Sequence, residues 1–83
     1  SSDISYLVSC DDCTVQYRDE LGSSQTLEVT DSWEFHFKGK TGQFIYLSAI
    51  ANEGTATISI EQGYHLVKRQ AGEEARAGFI LGN

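Results

Sequence analysis

Apolar residues two positions apart recur along almost the whole chain, and this period constrains the fold more than any other feature. Side chains alternate across a strand and wind around a helix, so a period of two selects strands with one buried face. Ile4, Tyr6 and Val8 begin the pattern, Val15 and Tyr17 continue it, and Leu27 and Val29 resume it. Trp33, Phe35 and Phe37 then alternate with Ser32, Glu34, His36 and Lys38 in the clearest strand of the sequence. Residues 43–51 are apolar on both sides, as expected of a central strand. Ala56, Ile58 and Ile60 alternate with Thr55, Thr57, Ser59 and Glu61. Two further strands are predicted at Tyr64–Gln70 and Ala75–Leu81.

Turn chemistry separates these segments. The chain has no proline, where average usage would place about four, so its turns draw on eight glycines and on Asp, Asn and Ser. Breaks are predicted at Asp11-Asp12, Asp19–Ser24, Asp31-Ser32, Gly39–Gly42, Asn52-Glu53-Gly54, Gln62-Gly63 and Ala71–Glu74. The one helical competitor is a single turn at Glu73-Glu74-Ala75-Arg76, flanked by Gly72 and Gly78. Seven to eight short strands with no long amphipathic helix point to an all-β fold, an antiparallel two-sheet β-sandwich of immunoglobulin-like size. A small barrel is the main rival. Eighty-three residues hold one domain, residues 1–83. Its core is expected from Trp33, Phe35, Phe37, Phe44, Leu47, Ile58, Ile60, Val67 and Phe79.

Six basic residues against twelve acidic ones give a net charge of −6, which repels a phosphate backbone, so nucleic acid is not an expected partner. Residues 41–52, the longest uncharged stretch, are too short and polar to span a bilayer. No Gly-x-Ser-x-Gly elbow or phosphate loop is present, and Gly39-Lys40-Thr41-Gly42 reads as a hairpin turn. His36 falls in the polar phase of its strand, and His65 sits beside Lys68 and Arg69; neither has metal-ligand spacing to other residues. No catalytic residue, metal site or cofactor is therefore expected. The acidic pairs Asp11-Asp12, Asp19-Glu20 and Glu73-Glu74 read as solvated loops, with a weak cation site at Asp11, Asp12 and Asp19 as the functional alternative. Tyr6, Tyr17, Tyr46 and Tyr64 are expected to be half-buried packing residues, against the alternative of an exposed platform for a carbohydrate or other small ligand.

Cys10 and Cys13 admit three readings: a disulfide closing a four-residue turn, a pair of free thiols, or a thiol-disulfide exchange site with Cys-x-x-Cys spacing. The exchange reading is disfavoured, because such sites place a cysteine at a helix N-terminus and Asp11 and Asp12 oppose thiolate formation. A bridge would imply an oxidising compartment outside the cytoplasm.

The run Thr14-Val15-Gln16-Tyr17, the Trp33 strand, Gly42–Ala49, Asn52, Thr57-Ile58-Ser59-Ile60 and Gly63 ahead of Val67 resembles the soluble domain of the MmpS-type accessory proteins and related small bacterial lipoproteins. The similarity spans about Tyr6 to Leu81 and rests on packing and turn residues, with Cys10 and Cys13 standing where small residues are expected. The resemblance implies an immunoglobulin-like sandwich in the periplasm or at the cell surface, tethered upstream by a lipid or a membrane segment. In the mycobacterial members such a domain assists lipid and siderophore exporters. The leading expectation is a non-enzymatic interaction or structural module of the cell envelope, accessory to a transport or assembly system, engaging an envelope partner through an exposed edge strand or loop face. The alternatives are the small-ligand platform and the Cys10/Cys13 thiol-disulfide protein.

Overall fold

The structure, a computed structural model, describes residues 2–82 and contains five antiparallel strands with no helix among them. They are β1 (Ser2–Arg18), β2 (Ser24–Gly39), β3 (Phe44–Gln62), β4 (His65–Gly72) and β5 (Glu74–Ile80). All belong to one hydrogen-bonded sheet ordered β2-β1-β3-β4, with β5 pairing the other half of β3. The expected strand count of seven to eight is thus five. Asp11-Asp12, Asp31-Ser32 and Asn52-Glu53-Gly54 interrupt the alternation without ending a strand, so three pairs of expected strands are continuous. The helical competitor at Glu73–Arg76 does not form: Glu73 is a bend and Glu74–Arg76 belong to β5, as in the expected last strand, because Ala75 and Ala77 reach the core only in extended backbone.

The three long strands fold back on themselves. Rings eleven residues apart on a straight strand would stand about 36 Å from each other, yet the Tyr6 and Tyr17 ring centroids are 5.8 Å apart. The Tyr6 hydroxyl also donates a 2.8 Å hydrogen bond to the Arg18 carbonyl. The fold line runs through all three strands at one level. The register of β1 slips between Cys10 and Cys13 against both neighbours, Asp31 of β2 has φ 71°, and Gly54 of β3 has φ 65°. An extra residue in one strand bends it and raises its twist, and aligned irregularities let neighbouring strands bend together. Beyond that line, 13–18, 24–29, 44–51 and 74–80 form one half; 2–10, 31–39, 56–62 and 65–72 form the other.

Both halves bury their facing residues in one cluster, including Ile4, Tyr6, Val8, Val15, Ile45, Leu47, Ala49, Ile58 and Ile60. At the end away from the fold line the halves approach so closely that a Cβ on Gly39 would stand 2.8 Å from Leu81. Of the expected core, Phe37, Leu47, Ile58 and Ile60 are buried, and Trp33, Phe35 and Phe79 pack against the cluster partly buried. Phe44 and Val67 are corrections, at 43% and 37% exposed. In β3 the buried phase falls on Ile45, which turns Phe44 outward; Val67 lies on β4, whose faces nothing covers.

The turn between β1 and β2 is organised by Asp19. Its carboxylate accepts from the Gln25 side chain and from the Leu21 and Ser23 amides, which hold it below the ordinary carboxylate value, led by Gln25. Its contribution is present above that ordinary range and lost as pH falls through the lowered value.

The left-handed backbone at Asp31 gives the first prediction. Asp31→Gly leaves thermal stability unchanged or raises it, whereas Asp31→Val costs about 1–2 kcal/mol because a branched side chain clashes in that conformation. Equal melting temperatures for the two variants would remove the fold-line role of this residue.

Candidate functional site

Cys10 and Cys13 lie on the inner side of the fold line and are bonded to each other, with an S–S distance of 2.07 Å and Cα atoms 6.2 Å apart. No free cysteine occurs among the described residues. The bond spans the register slip itself, so it closes the bend in β1. Asn52 supports the same level from outside, donating to Asp12 at 3.3 Å and Glu28 at 3.5 Å. The pair sits within a strand, and no helix dipole is at hand to favour a thiolate.

Tyr6, the largest fully buried side chain, carries a hydroxyl into the interior. It is fully buried, donates to Arg18 and accepts a 3.3 Å hydrogen bond from the Tyr46 amide. Burial pushes its phenol up to about 12, assisted by Asp19 and Tyr17 and opposed by the Tyr46 amide. The other tyrosines are dispersed. Tyr17 packs in the aromatic cluster with Trp33 and Phe35, Tyr46 stacks on Phe44 on the outer face of β3, and Tyr64 stands fully exposed at the β3–β4 turn. No two of them form an exposed platform.

The acidic residues do not converge either. Asp19 is occupied within its turn, Asp11 and Asp12 lie at the fold line, and no group of three or more His, Cys, Asp or Glu side chains gathers among the described residues. One polar constellation does form on the outer face. Ser5 Oγ lies 2.8 Å from His36 Nδ1, and His36 Nε2 lies 3.6 Å from Glu34 Oε2. A register between β1 and β2 that the sequence alone does not reveal brings Ser5 opposite His36, while the period of two places Glu34 and His36 together. A hydroxyl, an imidazole and a carboxylate are the parts of a nucleophile relay. Ser5, however, lies in a strand paired on both sides, where the ladders engage the backbone amides needed to stabilise an oxyanion. The arrangement acts as a cross-strand polar clasp.

The feature with interaction chemistry is β4. It pairs with β3 along one side, ends the strand order on the other, and is exposed from His65 to Ala71 on both faces. Such an edge presents unpaired N–H and C=O groups to another strand. It also carries His65, Lys68 and Arg69 on a chain of net charge −6. Three of the other cations are engaged within the chain: Lys38 pairs with Asp3, Arg76 with Glu74, and Arg18 bonds the Gly22 carbonyl and lies over Phe44. Next to β4 a shallow groove of about 300 Å³ runs across the outer face, lined by Leu7, Ser9, Ser32, Thr57 and Ser59 between Glu34 and Arg69.

The sequence signal for this edge was present. Leu66-Val67-Lys68-Arg69 breaks the period of two, which a strand buried on one face would keep.

No protein-family model, curated protein or solved structure gives a significant match to the chain.

Two predictions follow the interior. Reducing the disulfide lowers stability by about 2 kcal/mol by the loop-entropy relation, or roughly 10 °C in melting temperature for a domain of this size; calorimetry with and without reductant measures it, and an unchanged midpoint would show the bond to be inert. Tyr6→Phe leaves the Tyr46 amide and the Arg18 carbonyl without their partner, costing about 1–3 kcal/mol. The neutral Tyr6 phenol contributes stability that is complete below its ordinary value of 10.0 and is lost as pH rises through about 12. Denaturant titrations across that window should show a shallower alkaline decline in Tyr6→Phe than in the wild type.

Proposed function

We propose that this is a non-enzymatic interaction module that works outside the cytoplasm, in the oxidising cell envelope, and engages its partner by strand addition to β4. The observation that carries the reading is an edge strand exposed on both faces from His65 to Ala71, with its outer side unpaired. A buried core does not need such a strand, and an isolated monomer risks aggregation by keeping it. Strand addition gives affinity through backbone hydrogen bonds and specificity through alternate side chains, here Lys68 and Gln70 on one face and Arg69 and Ala71 on the other.

The compartment rests on the Cys10–Cys13 bond, since reducing cytoplasm keeps such thiols apart. We read the folded-over sheet as a two-layer, immunoglobulin-like sandwich, each half contributing four strand segments. An accessory role in envelope transport or assembly, with a lipid or membrane tether upstream, is what the MmpS-type resemblance adds to this reading.

A photoreactive side chain placed at Gln70 tests it, with Leu21 in the exposed β1–β2 turn as control. The reading expects one dominant adduct from Gln70 in intact envelope preparations and none from Leu21, and slowed amide exchange in β4 when the captured protein is added back purified. Equal labelling from both positions, or unchanged exchange in β4, overturns it.

A further inference from the structure

The two outer strands of one half-sheet complement each other. Following the pairs across it, Glu34 lies opposite Leu7, Leu7 opposite Ser59 and Ser59 opposite Arg69, so one row of neighbours on one face begins with an acid and ends with a base. The row beneath runs Phe35, Tyr6, Ile60, Lys68, and the next on that face Trp33, Val8, Ile58, Gln70. Ser32, Ser9, Thr57 and Ala71 form a fourth row, and Asp31, Cys10, Ala56 and Gly72 a fifth. The half-sheet therefore starts on β2 with Asp31 and Glu34 beside the half-buried rings of Trp33 and Phe35. It finishes on β4 with Lys68 and Arg69.

Strand direction agrees. Each neighbour in the order β2-β1-β3-β4 is antiparallel, so β2 and β4 themselves run in opposite directions. A second copy displaced sideways along the sheet brings its β2 against β4 as one more antiparallel neighbour, with the five rows from Lys68 to Gly72 continuing in line, on the fold-line side of the register shift at Ile60 and Glu61. Arg69 then faces Glu34 of the second copy, Lys68 lies over its Phe35, and Gln70 over its Trp33. These contacts are an opposite-charge cross-strand pair and a cation on an aromatic face. The two self-pairings are disfavoured, since β4 on β4 would bring Lys68 and Arg69 near their own copies, and β2 on β2 would do the same with Asp31 and Glu34.

We propose that the partner received by β4 is the β2 edge of a second copy of this chain, joined head to tail with Arg69 paired to Glu34. This rests on the reading of β4 as a strand-accepting edge and names its occupant. The contact is heterologous, because different surfaces meet, and sideways displacement leaves a free β2 at one end and a free β4 at the other. The assembly grows as an open row of domains instead of stopping at a dimer.

Sedimentation velocity across a concentration series tests this on the wild-type chain, with Arg69→Glu, Glu34→Lys and the double variant. Both positions are exposed, and circular dichroism confirms that each variant keeps its strand spectrum. The wild type is expected to associate beyond dimers, with a midpoint that moves to higher concentration in high salt. Each single variant sets like charges opposite each other and should weaken association by about tenfold or more. Mixing the two single variants, or combining both changes in one chain, restores opposite charges and should restore association. A wild type that stays monomeric at millimolar concentration, one that stops at a dimer, or single variants that are not rescued on mixing would each overturn the proposal. A monomeric wild type whose Gln70 probe still captures an envelope protein would leave the strand-accepting edge standing and remove only the second copy as its occupant.

Discussion

Everything in this molecule depends on three neighbouring strands breaking at one level. A sheet with strands of 17, 16 and 19 residues and one apolar face would otherwise lie open, with its rings and aliphatic side chains in water. Bending it across its middle lets the apolar face cover itself. The register slip at Cys10–Cys13, the left-handed backbone at Asp31 and the glycine at position 54 each supply part of that bend. No one of them suffices, because hydrogen-bonded strands must turn together or lose their ladders. The disulfide ties the slip in the central strand, and the Tyr6 hydroxyl joins the two halves of the folded sheet across the interior by bonding Arg18 and Tyr46.

Much of this was legible in the residues, and the part that was not has a definite cause. Alternation assigned strand character correctly to the apolar segments between Ile4 and Ile80, with the last two strands beginning and ending one or two residues from where it placed them. Asp11-Asp12, Asp31-Ser32 and Asn52-Glu53-Gly54 carry the same turn chemistry as the real hairpins at Asp19–Ser23 and Lys40–Gln43, so local composition reads both as chain reversals. The difference lies in register: at the real hairpins the strand ends, while at the other three sites pairing resumes beyond the break. Phe44 misled for a similar reason. In a segment apolar on both sides the phase of burial is set by the neighbouring strands, and they select Ile45 and Leu47.

The surface was less legible than the core. A lone histidine in a polar phase gave no hint that Ser5 would face it, since that contact depends on pairing between segments 31 residues apart. The strand-accepting edge was partly visible, in the loss of alternation after Leu66 and in Lys68-Arg69 standing together on an acidic chain. What composition could not show is that Glu34 and Arg69 end the same row of the sheet. That relation follows only from three consecutive strand pairings, and it gives the two edges opposite character.

The most direct measurement of the central claim is nuclear Overhauser contact between the ring protons of Tyr6 and Tyr17 in the oxidised protein. The folded-over sheet places these rings at a centroid distance of 5.8 Å and predicts strong cross-peaks between them. An unbent β1 would hold them about 36 Å apart, so assigned spectra with no cross-peak between the two rings would contradict it.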